Sequence, residues 1–317
     1  MTKLPNIRTS GAMTLLGHLG AFVTVCAWGT SFLASRVLME EGGWTPVETF
    51  VYRFSFAYLI LLIFTFHKIR SNSWRDEITF LACGICAGSL YFISENYALQ
   101  NTTTGNVSLL ASIAPIFTTL LMAAVFKTRI APMVAIGSVI SFIGVGCIIF
   151  SNGQGLEINP AGDLLALSAA FSWAVYTILM KRMIPHYNSF FITRKLFFYG
   201  VLTALPLLYF QQAPLHLSII FDWSQPKYIL NFLFLGLICS LTAYLIWNEV
   251  MKILGPVKAN NYQYLSPLIT MVAAYIIFHE EIYILGYVGC VLIIGGLVIS
   301  DKGSDFIAKL RKRKYDR

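Results

Sequence analysis

One carboxyl group stands where it could exchange protons within an apolar segment. Glu95 lies near the end of such a segment, with Tyr91 one helical turn before it and Asn96 directly after it. A buried carboxyl group can take up a proton from a coupling ion gradient, or it can bind the ammonium group of a ligand. A third interpretation, an interfacial carboxylate at a helix end, stays open.

Two arginines lie inside apolar segments, where a positive charge is costly. Arg53 and Arg194 occur in the second and the seventh segment, at an offset of 141 residues. A charge at the centre of a bilayer costs roughly 2.5–3.5 kcal/mol on insertion scales. Their side chains therefore either snorkel to the membrane surface or line a polar vestibule or gate.

Residues 260–264 form the most polar run within any apolar segment. Amides in such a place need partners away from lipid, which favours a cavity. Pro267 follows the run, and Pro115 holds the matching place in the first half of the chain. Each proline removes a backbone donor and crowds the carbonyl four residues earlier. Both are predicted to break a helix, as a plain kink or by exposing backbone to a cavity. The cavity candidates of these two segments are Ser108, Ser112, Asn260, Gln263 and Tyr264.

Four aromatic residues lie nearer the middle of their segments than interfacial belts would place them. They could wall a pocket that stacks planar or cationic solutes, or they could simply pack helices together. Asn248 joins the candidates as the counterpart of Asn96 at an offset of 152 residues. The four aromatic residues are Trp28, Trp173, Tyr176 and Tyr244.

Motifs for other chemistry are weak. Cys83 and Cys86 have the spacing of a metal or redox pair but lack a second pair, and the six cysteines suggest no disulfide framework. The five histidines form no HExxH pattern, and neither a phosphate loop nor a nucleophile elbow occurs. We therefore expect no metal, no cofactor and no enzymatic activity.

The elements that must hold these residues follow from composition. The chain has 317 residues, of which 57% are hydrophobic and 12% are charged. A soluble domain carries about 25% charged residues, so this chain cannot cover the surface of a soluble globule. Apolar runs of about 20 residues predict membrane-spanning helices, and their lack of alternation disfavours a β-barrel. Ten spans are predicted, at roughly 15–35, 46–66, 78–98, 103–126, 131–150, 163–182, 188–210, 228–248, 257–278 and 284–300.

Positive charge is distributed unevenly between the two sides of these spans. Of 23 Lys and Arg residues, 18 fall on the side of the N-terminus, and only Arg36 and Lys227 fall on the other. This bias predicts a multi-pass protein of the plasma (inner) membrane with both termini in the cytoplasm. The net charge of +8 thus reflects sidedness rather than nucleic-acid binding. The basic tail, 302–317, either lies on anionic lipid headgroups or is solvated.

The two halves of the chain resemble each other. At a constant offset of 152 residues, Pro115 matches Pro267, Gly137 matches Gly289, and other distinctive residues match in the same register. Each half holds five predicted spans, and an odd number makes the second half enter from the opposite side. The sequence thus predicts an all-α membrane protein with a 5+5 inverted repeat, an arrangement on which many secondary transporters are built. The predicted units are 1–150, 151–301 and the tail.

These residues resemble the ten-span EamA branch of the drug/metabolite transporter superfamily, over about 15–300. The resemblance is carried by Ala-Trp-Gly-Thr-Ser-Phe at 27–32, by the run 97–115 that ends in Ser-Ile-Ala-Pro, and by Tyr-Leu-Ser-Pro at 264–267. An acidic position of the family is matched by Glu280 and Glu281, whereas Lys127-Thr-Arg replaces it in the first half. The resemblance implies a bundle that moves small polar metabolites, often outward.

The predicted function is a secondary transporter, in the exporting direction, for small polar metabolites such as amino acids. It would work by alternating access between the two repeats. Its expected partners are a small-molecule substrate, a proton or another ion if transport is coupled, and membrane lipids. The alternative is a passive facilitator or channel, which would show neither saturation nor dependence on a proton gradient.

Overall fold

Helices make up almost all of the computed structural model, which describes residues 11–102, 104–151, 159–211, 215–278 and 282–315. One short 3-10 helix comprises Leu217–Phe221. The helices are α1 (Gly11–Arg36, extended by the π-helical turn Val37–Glu41), α2 (Pro46–Thr65), α3 (Trp74–Gly84, Ile85–Ser89 and Leu90–Asn101), α4 (Thr104–Ala111 and Ala114–Phe126), α5 (Pro132–Ser151), α6 (Pro160–Met183), α7 (Ser189–Phe210), α8 (Pro226–Leu233, Phe234–Thr242 and Ala243–Leu254), α9 (Pro256–Asn261, Tyr262–Tyr264 and Leu265–Phe278) and α10 (Ile284–Tyr315).

Nine helices in the described ranges are long and apolar enough to cross a membrane. The predicted ninth span, α9, is instead interrupted by the 3-10 turn Tyr262–Tyr264. Apolar side chains such as Leu59, Ile63 and Val291 are largely exposed on the outside of the bundle, as lipid-facing residues must be. The predicted fold class, an all-α membrane protein, is confirmed, while the count of ten spans stays a prediction.

Helix starts are encoded locally. Thr45 and Glu48 form a capping box at the start of α2, and the side chains of Asn159 and Asn188 cap α6 and α7. Such caps satisfy backbone N–H groups that a helix start leaves without partners. The predicted tail does not begin a new element, because α10 continues to Tyr315.

The most extensive contact between two helices of the described structure joins α5 to α10, and glycines lie along it. A Cβ atom built on Gly144 would lie 2.8 Å from the carbonyl oxygen of Gly289. Gly137 packs in the same way against Gly296, at the other end of the contact. Since Gly137 matches Gly289 and Gly144 matches Gly296 in the repeat, each contact is the reciprocal of the other. This reciprocity is what a two-fold axis between the halves requires.

Two π-helical stretches occupy matching places in the two halves. Ile85–Ser89 interrupts α3, and Phe234–Thr242 interrupts α8. An offset of 152 residues maps the first stretch into the second. Such bulges widen the helix locally and are often found at functional sites. Their matching positions agree with the predicted repeat.

Candidate functional site

Glu95 and Arg53 are two buried side chains of opposite charge from neighbouring helices. They are 7% and 5% exposed, respectively. The carboxylate of Glu95 accepts a hydrogen bond from the Tyr91 hydroxyl at 3.0 Å, and Arg53 Nε donates to Ser240 Oγ at 3.0 Å. Each of the two groups is thus held by a neutral partner. A buried charge without a direct counterion is costly, which makes this pair a candidate for ligand binding.

Arg53 points into the bundle rather than toward the membrane surface. Its partner Ser240 lies in the π-helical stretch near the middle of α8. The rings of Phe54 and Phe92 lie 4.8 and 5.4 Å from its guanidinium carbon, within the range of cation–π contacts. Of the two interpretations of this arginine, the structure favours the inward-facing one over snorkelling.

Arg194, the sequence counterpart of Arg53, has a different environment. Its Nη1 donates to the carbonyl oxygen of Thr65 at 2.6 Å, and its Nη2 donates to that of Lys68 at 2.6 Å. The first carbonyl belongs to the last residue of α2, where helices leave acceptors without intrahelical partners, and the second belongs to the loop that follows. Arg194 therefore caps α2 and ties α7 to the following loop, and the structure does not bring it to Glu95.

The aromatic candidates form one cluster around Trp28. Its ring centroid lies 5.6 Å from that of Trp173, 5.4 Å from that of Tyr244 and 5.0 Å from that of Trp247. Tyr91 contacts Trp173 at 5.5 Å, which connects the cluster to Glu95. The cluster thus joins α1 and α3 of the first half to α6 and α8 of the second.

Two further aromatic groups of this cluster bear on binding. Tyr176 packs on Trp173 with a centroid distance of 5.1 Å, and among the described residues its hydroxyl has no hydrogen-bond partner. Trp247, which sequence reasoning missed as a candidate, is fully buried. Its spacing of three residues from Tyr244 places both on one helix face, and this signal was available in the sequence.

The polar run of α9 sends its members to different helices. Asn260 Oδ1 accepts from Trp173 Nε1 at 2.8 Å, so this residue reaches the aromatic cluster. Asn261 instead donates to Ser300 Oγ at 2.6 Å, and the Tyr262 hydroxyl lies 2.7 Å from His18 Nδ1. Tyr264 is fully buried, and Gln263 is half-buried. The run therefore works as a junction between helices, and Asn260 is the member tied to the site.

Pro115 and Pro267 each lie in the first turn of a helix that follows an interruption. Helix α4 is interrupted between Ala111 and Ala114, and α9 passes through its 3-10 turn before Leu265–Phe278. Ser112 Oγ donates back to the carbonyl oxygen of Ser108 at 2.7 Å. This bond satisfies the backbone next to the interruption, and it uses the hydroxyl locally.

The two matching asparagines also lie in different places. Asn96 lines a small pocket of about 30 Å³ at one end of the bundle, together with Phe92 and Gln211. Asn248 is fully buried and donates to Thr193 Oγ1 at 2.9 Å. The ring of Phe92 also lies against the guanidinium of Arg53. The same ring therefore contacts both the Asn96 pocket and the charged pair.

Sequence reasoning missed Glu48, which holds the loop between α7 and α8 to the bundle. Its carboxylate is 1% exposed and accepts from the backbone N–H groups of Thr45 at 2.9 Å and His216 at 2.7 Å. The capping box of α2 was a readable signal for the first bond. Nothing local indicated the second, because His216 lies 168 residues away.

A related contact holds the opposite end of the bundle. Lys195 Nζ forms an ion pair with Glu77 Oε1 at 2.5 Å, and the Tyr199 hydroxyl donates to Glu77 Oε2 at 2.8 Å. These groups join α3 of the first half to α7 of the second. Together with Glu48, they tie the two halves to each other at both ends.

Comparisons with known proteins agree with this picture. The model of the EamA-like transporter family matches residues 15–150 and again residues 160–300. An uncharacterized transporter of Clostridium kluyveri is 26% identical over 305 residues, covering 93% of this chain and 96% of the relative. A probable terminal-alkyne amino-acid exporter of Streptantibioticus cattleyicolor is 26% identical over 281 residues, covering 88% and 91%.

A solved structure titled "Crystal structure of protein" superposes with a TM-score of 0.72 at 18% sequence identity, and covers 98% of this chain and all of the other. At this identity the likeness shows the fold alone. The double family match spans both predicted repeats, and the relatives are named as transporters. The predicted resemblance is confirmed: the chain is an integral multi-pass membrane protein of the EamA-like transporter family.

Proposed function

We propose that the protein is a secondary transporter that exports small polar metabolites, amino acids or related compounds, by alternating access between its two repeats. In this proposal it resides in the plasma (inner) membrane, with both termini in the cytoplasm. The family match supports the transporter role. The name of the Streptantibioticus relative, an amino-acid exporter, supports the substrate class and the direction.

The observation that carries the substrate class is the separated pair of buried charges. Arg53 presents a guanidinium and Glu95 a carboxylate, and both are bonded to neutral groups. A zwitterion carries the complementary pair, because its carboxylate fits Arg53 and its ammonium fits Glu95. The rings of Trp28 and Trp173 lie beside this pair and can stack on an ammonium group or a planar side chain.

Glu95 also offers a route to ion coupling. A substrate ammonium binds the ionised carboxylate, and a proton that binds the same carboxylate removes its charge. The two ligands therefore compete for one group, which is the condition for exchange across the membrane. Tyr91 holds the carboxylate in place through its hydroxyl.

Alternating access requires the two ends of the bundle to open in turn. At the outer end Glu48 holds the loop that contains His216, and at the other end Lys195 pairs with Glu77. Both contacts cross between the halves, so movement of one repeat against the other must break one of them at a time. The glycine contact between α5 and α10 supplies a pivot that can stay closed.

The test begins with purified protein in detergent. Thermal unfolding is recorded against amino acids, purines, polyamines and quaternary cations, because a ligand at 100 times its dissociation constant stabilises the folded state by about 2.7 kcal/mol. Reconstituted vesicles then measure flux of each stabilising compound. Saturable flux that responds to a proton gradient supports the proposal. Non-saturable flux that ignores the gradient supports the passive facilitator instead.

A further inference from the structure

A second pocket opens at the end of the bundle opposite to Asn96. It has a volume of about 330 Å³ and lies between α1, α9 and α10, on the side that the charge distribution assigns to the cytoplasm. None of its residues contacts the Arg53–Glu95 pair through a hydrogen bond in the described structure. The lining residues that bear on binding are Leu15, His18, Lys258, Val298, Asp301 and Lys302.

The floor of this pocket is polar and internally bonded. His18 Nδ1 lies 2.7 Å from the Tyr262 hydroxyl, and its Nε2 lies 3.6 Å from Asp301 Oδ2. Asp301 Oδ1 accepts from Lys258 Nζ at 2.6 Å. These bonds fix the shape of the pocket and connect three helices, so the pocket is a built feature and not a gap between mobile side chains.

The rim of the pocket, formed by lysines, differs in chemistry from its membrane-facing wall, formed by apolar side chains. Lys258 and Lys302 are both exposed, and the pocket lining sets these two ammonium groups against the single carboxylate of Asp301. On the side of the membrane, Leu15 and Val298 are 59% and 54% exposed and continue the apolar surface of the bundle. A cationic rim beside a lipid-facing wall matches a phosphate headgroup with its acyl chain.

We propose that this pocket binds the phosphate headgroup of an anionic phospholipid of the inner leaflet. The phosphodiester oxygens accept hydrogen bonds from Lys302 and Lys258, and an acyl chain lies along Leu15 and Val298. The excess of lysine over carboxylate favours phosphatidylglycerol over phosphatidylcholine, since a choline group would face the lysines. This site is independent of the substrate site, so it stands whether or not the transport proposal holds.

Native mass spectrometry of the purified full chain tests the proposal. The protein is mixed with equal amounts of phosphatidylglycerol and phosphatidylcholine, and the retained lipid is measured for wild type and for Lys302→Gln. The wild type is expected to retain phosphatidylglycerol preferentially. Lys302→Gln should weaken that retention about fivefold, the usual contribution of one basic residue at an anionic surface. It leaves the Lys258–Asp301 bond in place, so the fold is preserved.

A matched variant and a second ligand separate the alternatives. Lys252→Gln removes a lysine on the same side of the membrane, which pairs with Glu249 at 2.7 Å. This variant should leave the retention of phosphatidylglycerol unchanged. Equal retention of the two lipids, or an equal loss in both variants, overturns the proposal. Preferential retention of free glycerol 3-phosphate, without lipid, also overturns it and would identify a soluble anion as the occupant. Thermal unfolding of each variant confirms that it is folded.

Discussion

At the scale of the residue, the proposed substrate site depends on the carboxyl group of Glu95 and the guanidinium of Arg53. Both are buried within the bundle, and burial in a medium of low dielectric strengthens any interaction with a charged ligand. Their partners, Tyr91 and Ser240, are neutral hydroxyls. The two side chains are therefore held in position without an ion pair between them, which is the arrangement that the proposed zwitterionic substrate would need.

The first prediction concerns Glu95→Gln. The amide still accepts the bond from Tyr91 but cannot take up or release a proton, so gradient-driven transport should be abolished while the protein stays folded. Flux in vesicles with and without a proton gradient measures the first effect, and thermal unfolding checks the second. Normal gradient-driven flux in the variant would remove Glu95 from the coupling role.

The second prediction concerns Arg53→Lys. Lysine keeps the charge, but it lacks the planar fork that bonds Ser240 while stacking on Phe92. Loss of one charge-assisted hydrogen bond costs about 1.5–3 kcal/mol, so affinity for the ligand found by the panel should fall roughly ten- to hundredfold. Arg36→Lys is the control, since Arg36 forms an exposed pair with Glu40. An equal loss in both variants would contradict a direct role for Arg53.

At the scale of the element, glycines decide how close the helices come. The α5–α10 contact brings backbone against backbone. A Cβ atom built on Gly296 would lie 2.5 Å from the carbonyl oxygen of Gly137. Gly295, its neighbour in sequence, has nothing within 4 Å of the same built atom. The two positions therefore form a matched pair for testing this contact.

The third prediction compares Gly296→Ala with Gly295→Ala. Overpacking a close contact typically costs about 1–3 kcal/mol, so Gly296→Ala should lower the free energy of unfolding by that amount. Gly295→Ala meets open space and should change stability little. Unfolding in detergent with increasing denaturant compares the two. Equal stability of both variants would show that the α5–α10 contact yields without cost.

At the scale of the whole molecule, two features matter: the contacts between the two halves and the distribution of positive charge. Contacts at both ends tie the halves together, through Glu48 at one end and the Lys195–Glu77 pair at the other. The lysines and arginines concentrate on the side of the termini. Since positively charged loops usually stay in the cytoplasm, this bias predicts the orientation.

The fourth prediction is the orientation itself. A fluorescent protein fused after Arg317 should fluoresce, because it folds in the cytoplasm, and alkaline phosphatase at the same place should be inactive. Ser218→Cys, in the exposed 3-10 helix between α7 and α8, should react with an impermeant thiol reagent from outside the cell. The opposite pattern for both sites would invert the assignment of inside and outside.

Particular residues show how far sequence reasoning reached. The spans, the capping box of α2 and the matching glycines were readable because hydropathy, caps and repeats are local or periodic signals. Arg53 and Arg194 looked equivalent in the sequence, yet one bonds Ser240 inside the bundle and the other caps α2. Glu280 and Glu281, which the family pattern singled out, lie outside the described residues.

The sequence by itself determined that this is a helical membrane protein with a repeated architecture, because the apolar composition leaves no soluble alternative and the repeat is written in its residue types. Only the tertiary structure decided which polar groups meet. Arg53 meets Ser240, Asn260 meets Trp173, and Glu48 meets the backbone of His216. These partners lie on different helices, and their pairing depends on how each helix is rotated and packed against its neighbours, which no local pattern specifies.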